Sequence, residues 1–231
     1  SRDRVKPSNF PKEVLKLSTG YVCGGLGRCQ FLDRAAKYAV VGFSAAAMLE
    51  ALSPNFAWAQ QVAKDDKRIR AQYLTYPSPE GSGTMKGYFA RPAKGGKLPG
   101  VAVIHENRGL NPYIEDVARR LAVEGYVAFA PDALTPVGGY PGDEDKARKM
   151  FAEQDAKKRI EDLVTGANFL KTHADCNGKL GAVGFCFGGG ICNLLAVRMP
   201  DLAASVPYYG RQVTAEETAR IKAPPPTAAP R

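Results

Sequence analysis

The residues from Lys179 to Gly190, Lys-Leu-Gly-Ala-Val-Gly-Phe-Cys-Phe-Gly-Gly-Gly, constrain the fold more than any other stretch of the chain. The apolar run over 180–185 reads as a buried strand, and Gly188, Gly189 and Gly190 lead into a helix-like stretch over 191–199. Cys186 stands between them, with Gly184 two residues before it and Gly188 two after. Gly-x-nucleophile-x-Gly is the pattern of a strand-to-helix corner too tight for side chains at its flanks, with the nucleophile itself in strained backbone. At such a corner Cys186 points out above the sheet, near the positive end of the following helix, where thiolate is favoured. A free cysteine is more often a small buried hydrophobe, but that role needs no framing glycines. The dinucleotide fingerprint Gly-x-Gly-x-x-Gly does not fit either, because three residues separate Gly184 from Gly188.

At 231 residues the chain has room for one domain and an N-terminal extension. Five cysteines (Cys23, Cys29, Cys176, Cys186, Cys192) form no Cys-x-x-Cys pair, and there are two histidines. Neither a disulfide framework nor a metal site follows, and no cofactor is expected. Residues 1–70 hold 12 Lys and Arg against 6 Asp and Glu, which leaves +3 of the net +9 for the other 161 residues. The basic excess therefore sits in the extension, without the interleaved aromatics of a nucleic-acid surface, and no nucleic-acid partner is expected. No apolar run reaches the length of a spanning helix.

Residues 1–69 read as an extension and 70–223 as the folded domain, with a Pro/Ala-rich tail over 224–231. In the extension an apolar stretch over 38–49 precedes Ala57-Trp58-Ala59, the layout of an export signal. Gly27-Arg28-Cys29-Gln30-Phe31-Leu32 resembles the twin-arginine motif, with Cys29 in place of the second arginine. The alternative is a helix packed on the domain. A periplasmic location follows if the leader functions and a cytoplasmic one otherwise. In the domain, strands are expected over 72–76 and 85–90 as a hairpin, then over 100–105, 127–130, 180–185 and 203–209. Helices are expected over 114–124, 143–154, 156–173 and 191–199, and a Gly/Pro-rich loop over 133–142. Alternating strands and helices imply a mostly parallel α/β sheet whose ligands gather at the strands' carboxyl ends. Cys186, His105-Glu106-Asn107 and Tyr208-Tyr209-Gly210 all fall at such ends.

His105-Glu106-Asn107-Arg108-Gly109, Gly125-Tyr126, Pro131-Asp132, the stretch from Gly178 to Gly190, and Tyr208-Tyr209-Gly210 together resemble the dienelactone hydrolase family over about residues 70–223. The resemblance implies an α/β-hydrolase-type sheet with helices on both faces, acting on a small-molecule lactone or ester. It implies Cys186 as nucleophile, Glu106 in contact with the thiol, and an acid and a histidine after the last strand read here. The elbow pattern assigns the oxyanion donors to the backbone N–H groups of Asn107 and Phe187. Arg108, Tyr209 and Arg211 are candidates to bind the substrate, and Glu106 could instead pair structurally with Arg108 or Arg119. Pro224-Pro225-Pro226 cannot enter a central strand, so the domain is expected to be truncated at its C-terminal end. Two consequences are expected. One is poor turnover or, alternatively, an inactive relative serving as an interaction module. The other is an open sheet edge that a second copy of the chain could cover.

Overall fold

A computed structural model describes residues 10–22, 26–38, 44–52 and 60–222. The chain divides into two compact units, Ser1–Ala59 and Gln60–Arg231. In the first, helices α1 (Lys12–Val22), α2 (Arg28–Ala35) and α3 (Ala45–Leu52) are joined in part by a 3-10 turn, Ala36–Tyr38. Phe10, Val14 and Met48 form one small buried cluster, and Phe31, Ala35 and Leu49 another. The arginine-cysteine motif thus lies in α2, with Phe31 on its buried side. Ala57-Trp58-Ala59 and the tail over 224–231 lie outside the described residues. Among the described residues no helix is long and apolar enough to cross a membrane.

The second unit is built on a six-stranded sheet: β1 (Ile69–Ser78), β2 (Gly83–Pro92), β3 (Leu98–Ile104), β4 (Val127–Pro131), β5 (Cys176–Phe185) and β6 (Ala204–Tyr208). Their spatial order is β1-β2-β4-β3-β5-β6. The β1–β2 hairpin joins β4 antiparallel, whereas β4, β3, β5 and β6 run parallel. The helices are α4 (Pro112–Val123), α5 (Glu144–Ala152), α6 (Ala156–Thr172), α7 (Phe187–Arg198) and the short α8 (Ala215–Thr218). The loop expected over 133–142 contains a 3-10 turn, Thr135–Val137, which begins at a proline-bearing step. Asn111 caps α4, its Oδ1 accepting from the Ile114 N–H at 3.1 Å, and Pro112 supplies the first turn's preset φ.

Helices α6 and α7 cover one face of the sheet. There Leu163, Leu170, Leu180, Ile191 and Leu195 share one buried cluster with Phe129. Buried Asp162 on α6 ties the hairpin down, accepting from the Ser82 N–H and Oγ–H at 2.8 and 2.7 Å. Helix α4 covers the other face over β2, β4 and β3, with Ile114 and Ala118 against Val103, Ala128 and Tyr88. Its fully buried Arg119 donates to Val62 O at 2.8 Å and to Tyr88 Oη at 3.1 Å, so this long side chain acts as a cross-tie. Beyond α4 that face carries a groove of about 1000 Å³, lined by Val101, Val183, Phe185 and Val206 opposite Val117 and Leu121.

Candidate active site

Backbone geometry builds the corner at Cys186. Its φ of 54° and ψ of −115° lie in a region that side chains rarely occupy. A Cβ at Gly184 would stand 2.3 Å from Gly188 O, and one at Gly188 would stand 2.3 Å from Ile104 O and 2.7 Å from His105 O. A Cβ at Gly189 would meet Tyr208 O at 2.7 Å. The three glycines therefore allow α7 to begin directly after the cysteine and to lie against the ends of β3 and β6. The Cys186 N–H donates to Tyr208 O at 3.0 Å, and Cys186 O accepts the first helical bond, from the Gly189 N–H at 3.1 Å. The side chain is partly exposed.

Strand β3 delivers the second component. His105 is fully buried; its Nδ1 lies 2.5 Å from Glu106 O, and its Nε2 accepts from the Ala133 N–H at 3.1 Å. Nδ1 therefore carries the proton, and burial pushes the ring's pKa down, partly offset by Asp132. The next turn is fixed by Asp132, whose Oδ1 accepts from the N–H groups of Leu110 (3.2 Å) and Leu134 (3.0 Å), and by Gly109 at φ 74°. Glu106 then faces Tyr209 from β6's end: the Tyr209 hydroxyl donates to Glu106 Oε1 at 2.9 Å.

On its other side Glu106 meets Arg108, 3.8 Å from Oε2. Arg108 is only 5% exposed, and its Nε lies 3.1 Å from Glu144 Oε2 at the start of α5. Glu144 Oε1 in turn accepts from the Tyr140 hydroxyl at 2.7 Å and from Asn111 Nδ2 at 3.4 Å. Burial pushes the Glu144 carboxyl up, while Tyr140, Arg108 and Asn111 pull it back down. A continuous polar chain thus runs from Tyr209 through Glu106, Arg108 and Glu144 to the N-cap of α4.

Of the residues singled out from sequence, Cys186, Glu106, Asn107, Arg108, Phe187 and Tyr209 all lie at the carboxyl ends of β3, β5 and β6. Phe187 opens α7, its ring edge-on to Phe151 at 4.9 Å, with the Arg159 guanidinium 5.3 Å from it. Tyr209 is 65% exposed and has a positive φ of 40°. Arg211 is exposed beside α8, where its charge helps to lower the Glu217 carboxyl, held down chiefly by the Thr214 N–H. Arg119, the other arginine considered for Glu106, pairs with Glu115 and Asp116 instead. His173 caps α6 at the opposite end of β5 from Cys186. Glu144, Tyr140 and Asn111 went unread in the sequence as parts of the site. Glu144 looks like any acid in a helix's first turn, and only Asn111-Pro112, a cap signature beside the site loop, pointed there. Among the described residues, no group of three or more His, Cys, Asp or Glu could hold a metal ion.

Residues 85–228 match the dienelactone hydrolase family. A protein of Escherichia coli K12 named as a hydrolase fragment, YghX, is 57% identical over 113 residues, 48% of this chain and 97% of that protein. Another E. coli K12 protein, named as a carboxymethylenebutenolidase, is 35% identical over 155 residues, 65% of this chain and 56% of that one. The chain thus spans little more than half the length of that relative. A dienelactone hydrolase of Klebsiella pneumoniae superposes with a TM-score of 0.55 at 30% identity, covering 68% of this chain and 71% of its own. A dienelactone hydrolase-like promiscuous phosphotriesterase from metagenomic libraries gives 0.55 at 27%, covering 68% and 67%.

Proposed function

The chain belongs to the dienelactone hydrolase family, and from that premise we propose that it cleaves a lactone or small carboxylic ester through Cys186. Glu106 takes the thiol proton, and the thiolate attacks the ester carbonyl. The oxygen that becomes negative rests on the N–H groups of Asn107 and Phe187. The alkoxide then leaves with a proton returned by Glu106, and water hydrolyses the thioester that remains. Neither histidine offers a base at the sulfur. His105 is engaged at both ring nitrogens, and His173 lies at the far end of β5. Among the described residues proton transfer therefore falls to Glu106, and with that one carboxylate serving both steps the thioester step is the slow one, since positioned acid–base catalysis is worth about 10²–10⁴-fold.

The observation that carries the reading is the backbone of Cys186. A non-glycine residue at φ 54° costs of order 1–3 kcal/mol and persists only where its surroundings over-determine it. Glycines with no room for a Cβ on either side, at the meeting point of three strand ends, supply that over-determination. Stopped-flow mixing with p-nitrophenyl acetate tests the proposal. We expect a burst of about one p-nitrophenolate per chain, followed by a slow steady rate, both lost in Cys186→Ala. A chain with no Cys186-dependent burst is instead an inactive relative that keeps the fold.

A further inference from the structure

An arginine beside the nucleophile would ordinarily be read as the receiver of a substrate carboxylate. Arg108 is placed differently. It is nearly buried, with Glu106 Oε2 3.8 Å from one guanidinium nitrogen and Glu144 Oε2 3.1 Å from another. Counted by themselves, two carboxylates against one guanidinium carry one net negative charge, at the carboxyl end of β3, which pairs beside the end of β5 that carries Cys186. Glu144 itself is anchored by Tyr140 and Asn111, so the arrangement is a built one: the cap of α4 and the first turn of α5 both hold it. Arg211, the other arginine that the sequence offers, is exposed beside α8.

We infer that Glu144 is a specificity-determining residue: by holding Arg108 against Glu106, it withdraws the guanidinium from substrate and turns the site toward uncharged acyl groups. The inference rests on the hydrolase reading above and names the substrate class within it. Removing the Glu144 charge raises the charge of the cluster by one and loosens Arg108. Both changes favour an anionic acyl chain over a neutral one of the same length.

The probes are p-nitrophenyl hexanoate and the p-nitrophenyl monoester of adipic acid, matched in chain length and differing by a terminal carboxylate. The readout is the Cys186-dependent acylation rate constant for each, with the release seen in Cys186→Ala subtracted. The full chain is expected to prefer the hexanoate by about tenfold or more, the effect of one unit charge at about 12 Å or nearer at an effective dielectric near 20. Glu144→Gln should narrow that ratio by about tenfold, and Glu144→Asp should largely restore it, which a purely structural role would not predict. An unchanged ratio in Glu144→Gln, with acylation intact, overturns the inference and leaves the hydrolase reading standing. Absence of Cys186-dependent release from either ester sinks the hydrolase reading and this inference with it. Should Glu144→Gln not fold, the wild-type ratio decides. Sodium chloride at about 1 M, where the Debye length is about 3 Å, must compress the ratio, and a salt-independent ratio counts against a charge-based preference.

Discussion

The two faces of the sheet in the second unit carry similar sequence and end in different surroundings. In β5, alternate residues Leu180 and Ala182 face α6 and α7 and are at most 2% exposed. Their neighbours Val183 and Phe185 face the groove beside α4, together with Val206 of β6, and are only partly covered. Both sets are apolar at strand spacing, so the pattern of the strand carries no record of which face a helix covers. Coverage is settled by where the connecting helices cross. The crossovers through α6 and α7 lie on one side, and among the described helices of this unit α4 packs on the other.

The sharpest way to break this comparison is to remove the same kind of volume from each face. Leu180→Ala is expected to cost about 2–5 kcal/mol, the range for emptying a packed core site. Val206→Ala, on the open side, should cost less than about 1 kcal/mol, because a half-covered side chain has little burial to lose. Urea unfolding followed by circular dichroism measures both. Equal costs would mean that the groove is filled in solution, and the contrast between the faces would fall.

The next effect depends on pH. His105 lies against Phe151 of the packed face, their ring centroids 6.1 Å apart, and burial holds its folded-state pKa below the ordinary 6.5. A group with a depressed pKa lends stability that is present above its unfolded value and is lost as pH falls through the folded one. The chain should therefore lose stability below about pH 6.5, at up to about 1.4 kcal/mol per pH unit from this residue. His105→Gln can still accept from the Ala133 N–H. It should flatten that slope by one proton's worth while lowering stability at pH 8. Denaturation midpoints between pH 8 and 5 check it, and an unaltered slope would show that the ring titrates normally.

Much of this was readable from sequence because it is backbone chemistry. Gly184 and Gly188 announce a corner that excludes Cβ atoms, and the apolar runs place β3, β5 and β6 so that their ends meet there. What could not be read depends on packing. Helix α7 begins at Phe187, earlier than the triple glycine suggests, because close approach to β3 and β6 outweighs the low helix propensity of glycine. Strand β5 begins at Cys176, through Asn177-Gly178, a pair that reads as a turn; Gly178 does take φ 85°, inside the strand. In the extension, α1 forms over residues whose polar, basic pattern predicts little. Glu144 is the clearest case in the site: its role exists only through a buried arginine 36 positions earlier.

The smallest effect returns to the corner, where the packed face ends and strain is held. Gly188 is locked against Ile104 and His105 by contacts that leave no room for a methyl group, so the turn cannot relax and Cys186 takes up the positive φ. Glycine enters that region without the steric penalty, though it adds unfolded-state freedom that offsets part of the gain. Cys186→Gly is therefore expected to stabilise the unit by up to about 1 kcal/mol while abolishing the acylation burst. Cys186→Ala keeps the strain and should show no such gain. Comparing the two variants separates strain from the loss of sulfur. If glycine stabilises no more than alanine, the corner's conformation costs nothing, and the reason for reading Cys186 as a residue held for chemistry is removed.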